Sequence, residues 1–279
     1  MASTKTKPAY ENNPFFIATN GITLLMKSAQ GVTILLFVLS LASYVRGVTS
    51  PDAEKVRTPA QQIDATAAAV SGFSGSEWAV AIGVVVLLSL AAMLLSSLFG
   101  GISSYTSARL ARGHQVSLSE AFRVSFDNLF SYLWLQIIIF VKVMLWSLLL
   151  IIPGIIMAVR YSLSGVAFYD DTKKLRGTAA VKESLRLTKG AWITTYAGSA
   201  VLNTLTLYIF SPVVSTAAST ILYRQYTALG DKPKPSAHFL SWLMLAIPIV
   251  FFLLILTAVI VIISTAGLNE LADKIMHSR

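Results

Sequence analysis

The 279-residue chain is 55% hydrophobic and only 13% charged, with a mean hydropathy of +0.68, where an ordinary globular domain carries about 25% charged residues. That leaves no stretch polar and long enough for a separate soluble domain, and describes one polytopic membrane domain with room for roughly seven spans of ~20 residues. The net charge of +9 does not imply nucleic acid, because Lys and Arg stand beside hydrophobic runs, where they set topology and meet anionic headgroups. The absence of cysteine removes disulfides, thiolate metal sites and cysteine nucleophiles together.

Residues 1–14 are polar and read as a flexible N-terminus without the order of a secretory signal. Phe15 to Ser28 mixes large apolar residues with Asn20, Gly21 and Lys27, which predicts an interfacial helix rather than a span. Gly31 to Val48 reads as the first span. The polar connection 49–77 holds Lys55 and Arg57 against Asp52, Glu54, Asp64 and Glu77, so it is assigned outside. Trp78 to Ser107 is the second span, with Trp78 at the outer interface and small residues from Gly100 to Ala108 that permit close helix packing. Arg109 and Arg112 put the next loop inside.

Ser117 with Glu120 three residues on fits a capping box, followed by Leu118, Phe122, Phe126 and Phe130 at helical spacing. This predicts an amphipathic helix on the inner leaflet that feeds a third span to Ile152. Pro153 and Gly154 then read as a turn, with the fourth span returning through Phe168. The stretch 170–189 is the most charged and is assigned inside; in it Asp170 and Asp171 are read as ending the interface and balancing Lys173 and Lys174. Ala191 to Phe210 is the fifth span, Pro212 marks another turn, Val213 to Tyr223 is a short sixth and Phe239 to Thr265 the last. Seven crossings with the N-terminus in the cytoplasm follow, or six if a short segment is re-entrant.

Sliding the chain by about sixty residues brings Ala121, Arg123, Ser125 and Pro153 onto Ala180, Lys182, Ser184 and Pro212. Residues 117–171 and 177–231 therefore read as tandem units, each an amphipathic helix, an outward span, a proline turn and a return span.

Two cations stand where a bilayer makes charge expensive. Counted from Pro153, Lys142 lies ~16 Å and Arg160 ~10 Å below the outer end, with no acidic residue inside a span to neutralise them. They either snorkel to an interface or form a site for a phosphate or anionic headgroup. Lys173, Lys174, Arg176, Lys182, Arg186 and Lys189 form an inner basic surface that sets topology and lies on anionic headgroups, with docking of a protein partner as the alternative. His114, His238 and His277 are scattered over both sides, no catalytic motif is present, and neither an enzyme nor a metal or other cofactor is expected.

Ala121 to Ser125, the run IIPGII at Ile151 to Ile156, Arg160 and Ser162, Asp170-Asp171, Ala180 to Ser184 and Lys189-Gly190 together resemble the membrane domain of glycerophosphoryl diester phosphodiesterases and its stand-alone relatives. The resemblance covers about Ser117 to Gly190 and implies a membrane module of a bacterial or archaeal cell membrane. In that family the catalytic barrel is a separate domain, and no loop here can hold roughly 250 residues of barrel.

The expected architecture is thus an all-α, polytopic transmembrane helical bundle of six to seven spans, with interfacial amphipathic helices and a tandem hairpin repeat. The expected role is non-catalytic: a membrane-organising or accessory subunit that binds anionic lipid, alone, as a homo-oligomer or with a membrane partner. The alternative is a small transporter or channel for an anionic or lipidic solute.

Overall fold

The computed structural model describes residues 10–48 and 75–277, all of whose regular structure is helical. The expected flexible N-terminus and the connection 49–77 lie outside these residues, apart from their last few positions. In chain order the described helices are α1 (Pro14–Ser28), α2 (Gln30–Val48), α3 (Gly75–Ala111), α4 (Leu118–Asp127), α5 (Leu129–Leu149) and α6 (Ile151–Tyr161). They continue with α7 (Ser164–Phe168), α8 (Thr178–Leu187), α9 (Trp192–Leu205), α10 (Ser211–Leu229) and α11 (Phe239–His277).

Four stretches among the described residues are long and apolar enough to cross a membrane: Ser76–Ala111, Leu129–Leu149, Ile151–Phe168 and Phe239–Ile262. A fifth is added if α1 and the first part of α2, bent by 120° at their junction, count as one broken span. The expected fifth and sixth spans, now α9 and α10, do not pass this test. α9, with 14 residues, is too short, whereas α10 is long enough but too polar, which its surroundings explain: it runs through the middle of the bundle against α1, α2, α3 and α9, with Val214, Ala217, Tyr223 and Tyr226 buried. A helix wrapped in protein has no need of an apolar surface all round.

α1 shows how such packing is made. Ile17, Ala18, Gly21 and Leu25 recur at helical spacing and are buried, while Phe15, Phe16 and Met26 stay exposed. Gly21 lies so close to α10 that any Cβ would run into the Ala217 backbone. Asn12 Nδ2 donates to the Ser236 carbonyl (3.1 Å) and the Ser28 carbonyl accepts from Val116 N–H (2.9 Å), so loops at one end of the bundle hold both ends of the helix.

Two short helices share a length and a place before a hairpin. α4 and α8 are ten residues long; α4 buries Ala121 and Ser125, and α8 buries Ala180 and Ser184 together with Val181 and Leu187. Ser117 caps α4 as expected, its Oγ accepting the Glu120 N–H at 3.2 Å. The reciprocal half of the capping box does not form, because Glu120 instead accepts from the Tyr105 hydroxyl and faces Arg109 at 3.8 Å.

The turn assigned to Pro153 and Gly154 lies three residues earlier. Leu150 is the single extended residue between α5 and α6 (φ −159°, ψ 137°). Pro153 belongs to the first turn of α6, where its missing N–H costs nothing. Gly154 serves close approach, since a Cβ there would collide with Ser147 on the facing arm. Pro212 likewise sits in the first turn of α10, and the chain reverses before it through Leu207 and Tyr208, both in the left-handed region (φ 49° and 61°).

The molecule is uneven along its length. The first half of α3 and the apolar part of α11 bury nothing, whereas α3 from Ser97 onward is packed by α4, α5, α7 and α10. At ~1.5 Å per residue the 37 residues of α3 and the 39 of α11 each exceed the ~30 Å of a hydrocarbon core.

Candidate functional site

The charged residues collect where α3 and α10 end and where α4 and α8 begin. Asp170, two residues beyond α7, has its side chain fully buried there. Its carboxylate receives the Arg112 guanidinium, the Tyr223 hydroxyl (2.7 Å) and the Thr172 hydroxyl (2.7 Å), and closes a local turn by accepting the Thr172 N–H (3.2 Å). Burial pushes the carboxyl pKa up, but the donors from Arg112, Tyr223 and Thr172 outweigh it and hold the group below its ordinary value. Asp170 thereby joins the end of α3, the loop after the first hairpin and the end of α10. Asp171 pairs with Arg109 at 3.2 Å. The acidic pair is thus neutralised by Arg109 and Arg112 from α3 and its following loop, and Lys173 and Lys174 are not its partners.

A second knot forms around Glu183. Arg186 reaches it through Nε (2.9 Å) and Nη2 (2.8 Å), Lys173 adds its ammonium, and Arg186 also holds Asp231. The Arg186 hydrogen bonds, working against burial and helped by Lys173, pull the Glu183 carboxyl down to about 2.

The six residues expected to form a basic surface therefore divide. Lys173 and Arg186 are committed to carboxylates, and Arg176 lies over the Phe168 ring at 4.4 Å. Lys174, Lys182 and Lys189 are exposed and, among the described residues, paired with no carboxylate. Sequence reasoning missed two further cations of this kind, Lys27 on α1 and Arg224 on α10. They line a groove of about 480 Å³ together with Glu11, Asn20, Thr23 and Leu24. The signal was present: both stand near the ends of otherwise apolar helices.

Lys142 and Arg160 do not share a partner. Counted from the observed break at Leu150 they lie ~12 and ~15 Å down their arms. Arg160 belongs to the joint between α6 and α8: its Nη2 donates to the Leu185 carbonyl (3.2 Å), and its own carbonyl accepts from Ser184 Oγ (2.6 Å) and Thr188 Oγ1 (3.3 Å). It is thus drawn towards the charged helix α8. Lys142 is half-buried on α5.

Among the described residues no group of three or more His, Asp or Glu side chains is placed to hold a metal ion. No family model matches the chain, and no curated protein or solved structure matches it either.

Proposed function

We propose that the chain is a non-catalytic, multi-pass membrane protein that binds anionic lipid at its charged end and serves as a membrane-organising or accessory subunit. The observation that carries this reading is the division of the cations: ion pairs fix the frame, and Lys27, Lys174, Lys182, Lys189 and Arg224 are exposed and, among the described residues, paired with no carboxylate. Phosphates of a lipid surface are the counter-ions that such a surplus recruits. The outward aromatic face of α4, with Phe122 and Phe126 stacked side by side and exposed, supports placing this end in the headgroup region.

In this reading the charged end faces the cytoplasm, α1 lies in the same interface, and residues 117–171 and 177–231 are two copies of one unit. The buried pairs Ala121 with Ala180 and Ser125 with Ser184 support the duplication. The resemblance to the phosphodiesterase membrane domain belongs to the same proposal, as does assembly with itself or with a membrane partner.

The test is native mass spectrometry of protein extracted with its own lipids, compared with a variant carrying Lys174→Gln, Lys182→Gln and Lys189→Gln. At ~1 kcal/mol per surface cation the three together amount to ~3 kcal/mol, roughly a hundredfold in affinity, so retained anionic lipid should largely disappear. Undiminished anionic lipid on the variant contradicts the proposal. A second reading, a small transporter or channel, draws on a cavity between the two hairpins that is lined by many hydroxyl-bearing residues and by neither Lys142 nor Arg160.

A further inference from the structure

That cavity, of about 310 Å³, opens to the surface and is lined by α3, α5, the stretch from Ser162 to Val166, α9 and α10. Nine of its fifteen lining residues carry hydroxyls and none carries a charge. It begins near the charged end, where Thr195 stands three residues into α9, and extends to Ser103, eight residues or ~12 Å before the end of α3, and Ser215, nine residues or ~14 Å before Arg224. With the charged end in the headgroups, as proposed above, this depth is within a hydrocarbon layer ~30 Å thick.

The hydroxyls are arranged in two ways. Thr195 Oγ1 donates to the Ala191 carbonyl (2.8 Å) and meets the Tyr226 hydroxyl (3.0 Å), Thr216 Oγ1 donates to the Pro212 carbonyl (2.7 Å) and lies 3.0 Å from Ser103 Oγ, and Ser219 Oγ donates to the Thr216 carbonyl (3.0 Å) and meets Ser107 Oγ (2.9 Å). With their protons turned to carbonyls, what each can still offer a cavity is a lone pair that its neighbouring hydroxyl leaves over. Ser162 and Ser215 also line the cavity and are exposed, with no hydrogen bond to their hydroxyls among the described residues. They remain free both to donate and to accept. Unpartnered hydroxyls at this depth are costly unless something polar meets them. An ion would be buried there without a counter-charge, which is costlier still.

We propose that this cavity binds a neutral, multiply hydroxylated group, whose O–H groups are received by Thr195, Thr216 and Ser219 and whose oxygens are met by Ser162 and Ser215. The volume lies at the lower end of small-molecule sites. Such a group can arrive as a free polyol from water or as the uncharged sugar headgroup of a glycolipid entering between the hairpins. The site is separate from the cation surface and differs from it in ligand class.

The chain contains no cysteine, so Ser215→Cys introduces a unique thiol at the cavity, with Ser162→Cys as a second position should the first misfold. The rate of modification by a small water-soluble methanethiosulfonate reagent is measured in phosphatidylcholine vesicles. Sorbitol is then added to the buffer or monoglucosyldiacylglycerol to the bilayer. The cavity thiol should react and be protected roughly fivefold once the effective probe exceeds its Kd several times. Protection by sorbitol identifies a free polyol, and protection by the glycolipid a lipid headgroup. An inert thiol, no protection by either probe, or equal protection by phosphatidylserine overturns the proposal. Ser89→Cys, on the exposed first half of α3, separates the two claims. It should stay unreactive, and reaction as fast as at Ser215→Cys would instead overturn the membrane placement.

Discussion

The hairpins α5–α6 and α9–α10 follow similar ten-residue helices yet meet opposite surroundings. The first exposes Phe140, Leu148, Leu149, Ile151 and Ile152, and both its arms pass as membrane spans on hydropathy. In the second, α10 is enclosed and carries Thr216, Ser219, Thr220 and Tyr223 among its packed residues. Hydropathy therefore reports what a helix faces rather than how deep it lies: α10 is long enough to cross but too polar, while α9 with its 14 residues is too short.

The most damaging way to break the contrast is to cut the tie between the hairpins. Asp170→Asn should cost ~3 kcal/mol, the low end for breaking a buried pair, since the Arg112 side chain left behind is one-third exposed and solvent screens it. Unfolding in detergent should show this loss, while Tyr223→Phe, which removes one hydrogen bond to the same carboxylate, should cost only ~1 kcal/mol. An equal cost for both would mean that the charge is not what holds the joint.

Enlarging a buried position of α10 comes next. Ala217→Leu should destabilise by ~1–3 kcal/mol through overpacking against α1. The same unfolding measurement on the lipid-facing Val141→Leu of α5 should move by no more than ~0.5 kcal/mol. Equal effects would erase the difference between the hairpins.

Acidification sharpens the comparison less strongly. Asp170 and Glu183 both titrate lower in the folded protein, so their stabilisation is complete above the ordinary carboxyl range and is lost as pH falls through the folded values. For Glu183 the window runs from 4.5 down to about 2. The Tm in detergent should fall across it, and Glu183→Gln should flatten part of that fall.

The smallest effect is expected at the apolar tip, where Leu149→Ser should leave the detergent Tm nearly unchanged because the side chain is exposed.

Much of this architecture was legible in the sequence, for reasons that can be named. The apolar runs of α3, α5 and α11, the Ser117 cap and the small residues from Gly100 to Ala108 in α3 are local signals, and each has its counterpart in the fold. The break at Leu150 was not legible, because Pro-Gly marks a turn equally well as it marks a helix start with a close neighbour. Asp170 was assigned to adjacent lysines, whereas its true partners, Arg112 and Tyr223, are 58 and 53 residues away. Ser215, Thr216, Ser219 and Thr220 did carry a readable sign: their i, i+4 spacing puts a polar stripe on an otherwise apolar helix, which asks for a polar neighbour.

The measurement that bears most directly on the proposed role is thermal stability in nanodiscs as phosphatidylglycerol replaces phosphatidylcholine. Binding of anionic lipid to the folded state should raise the Tm of the native chain with phosphatidylglycerol content. The Lys174→Gln, Lys182→Gln, Lys189→Gln variant should start from a similar Tm and respond far less. A native Tm indifferent to phosphatidylglycerol, or an identical rise in the variant, would contradict lipid recognition by the unpaired cations.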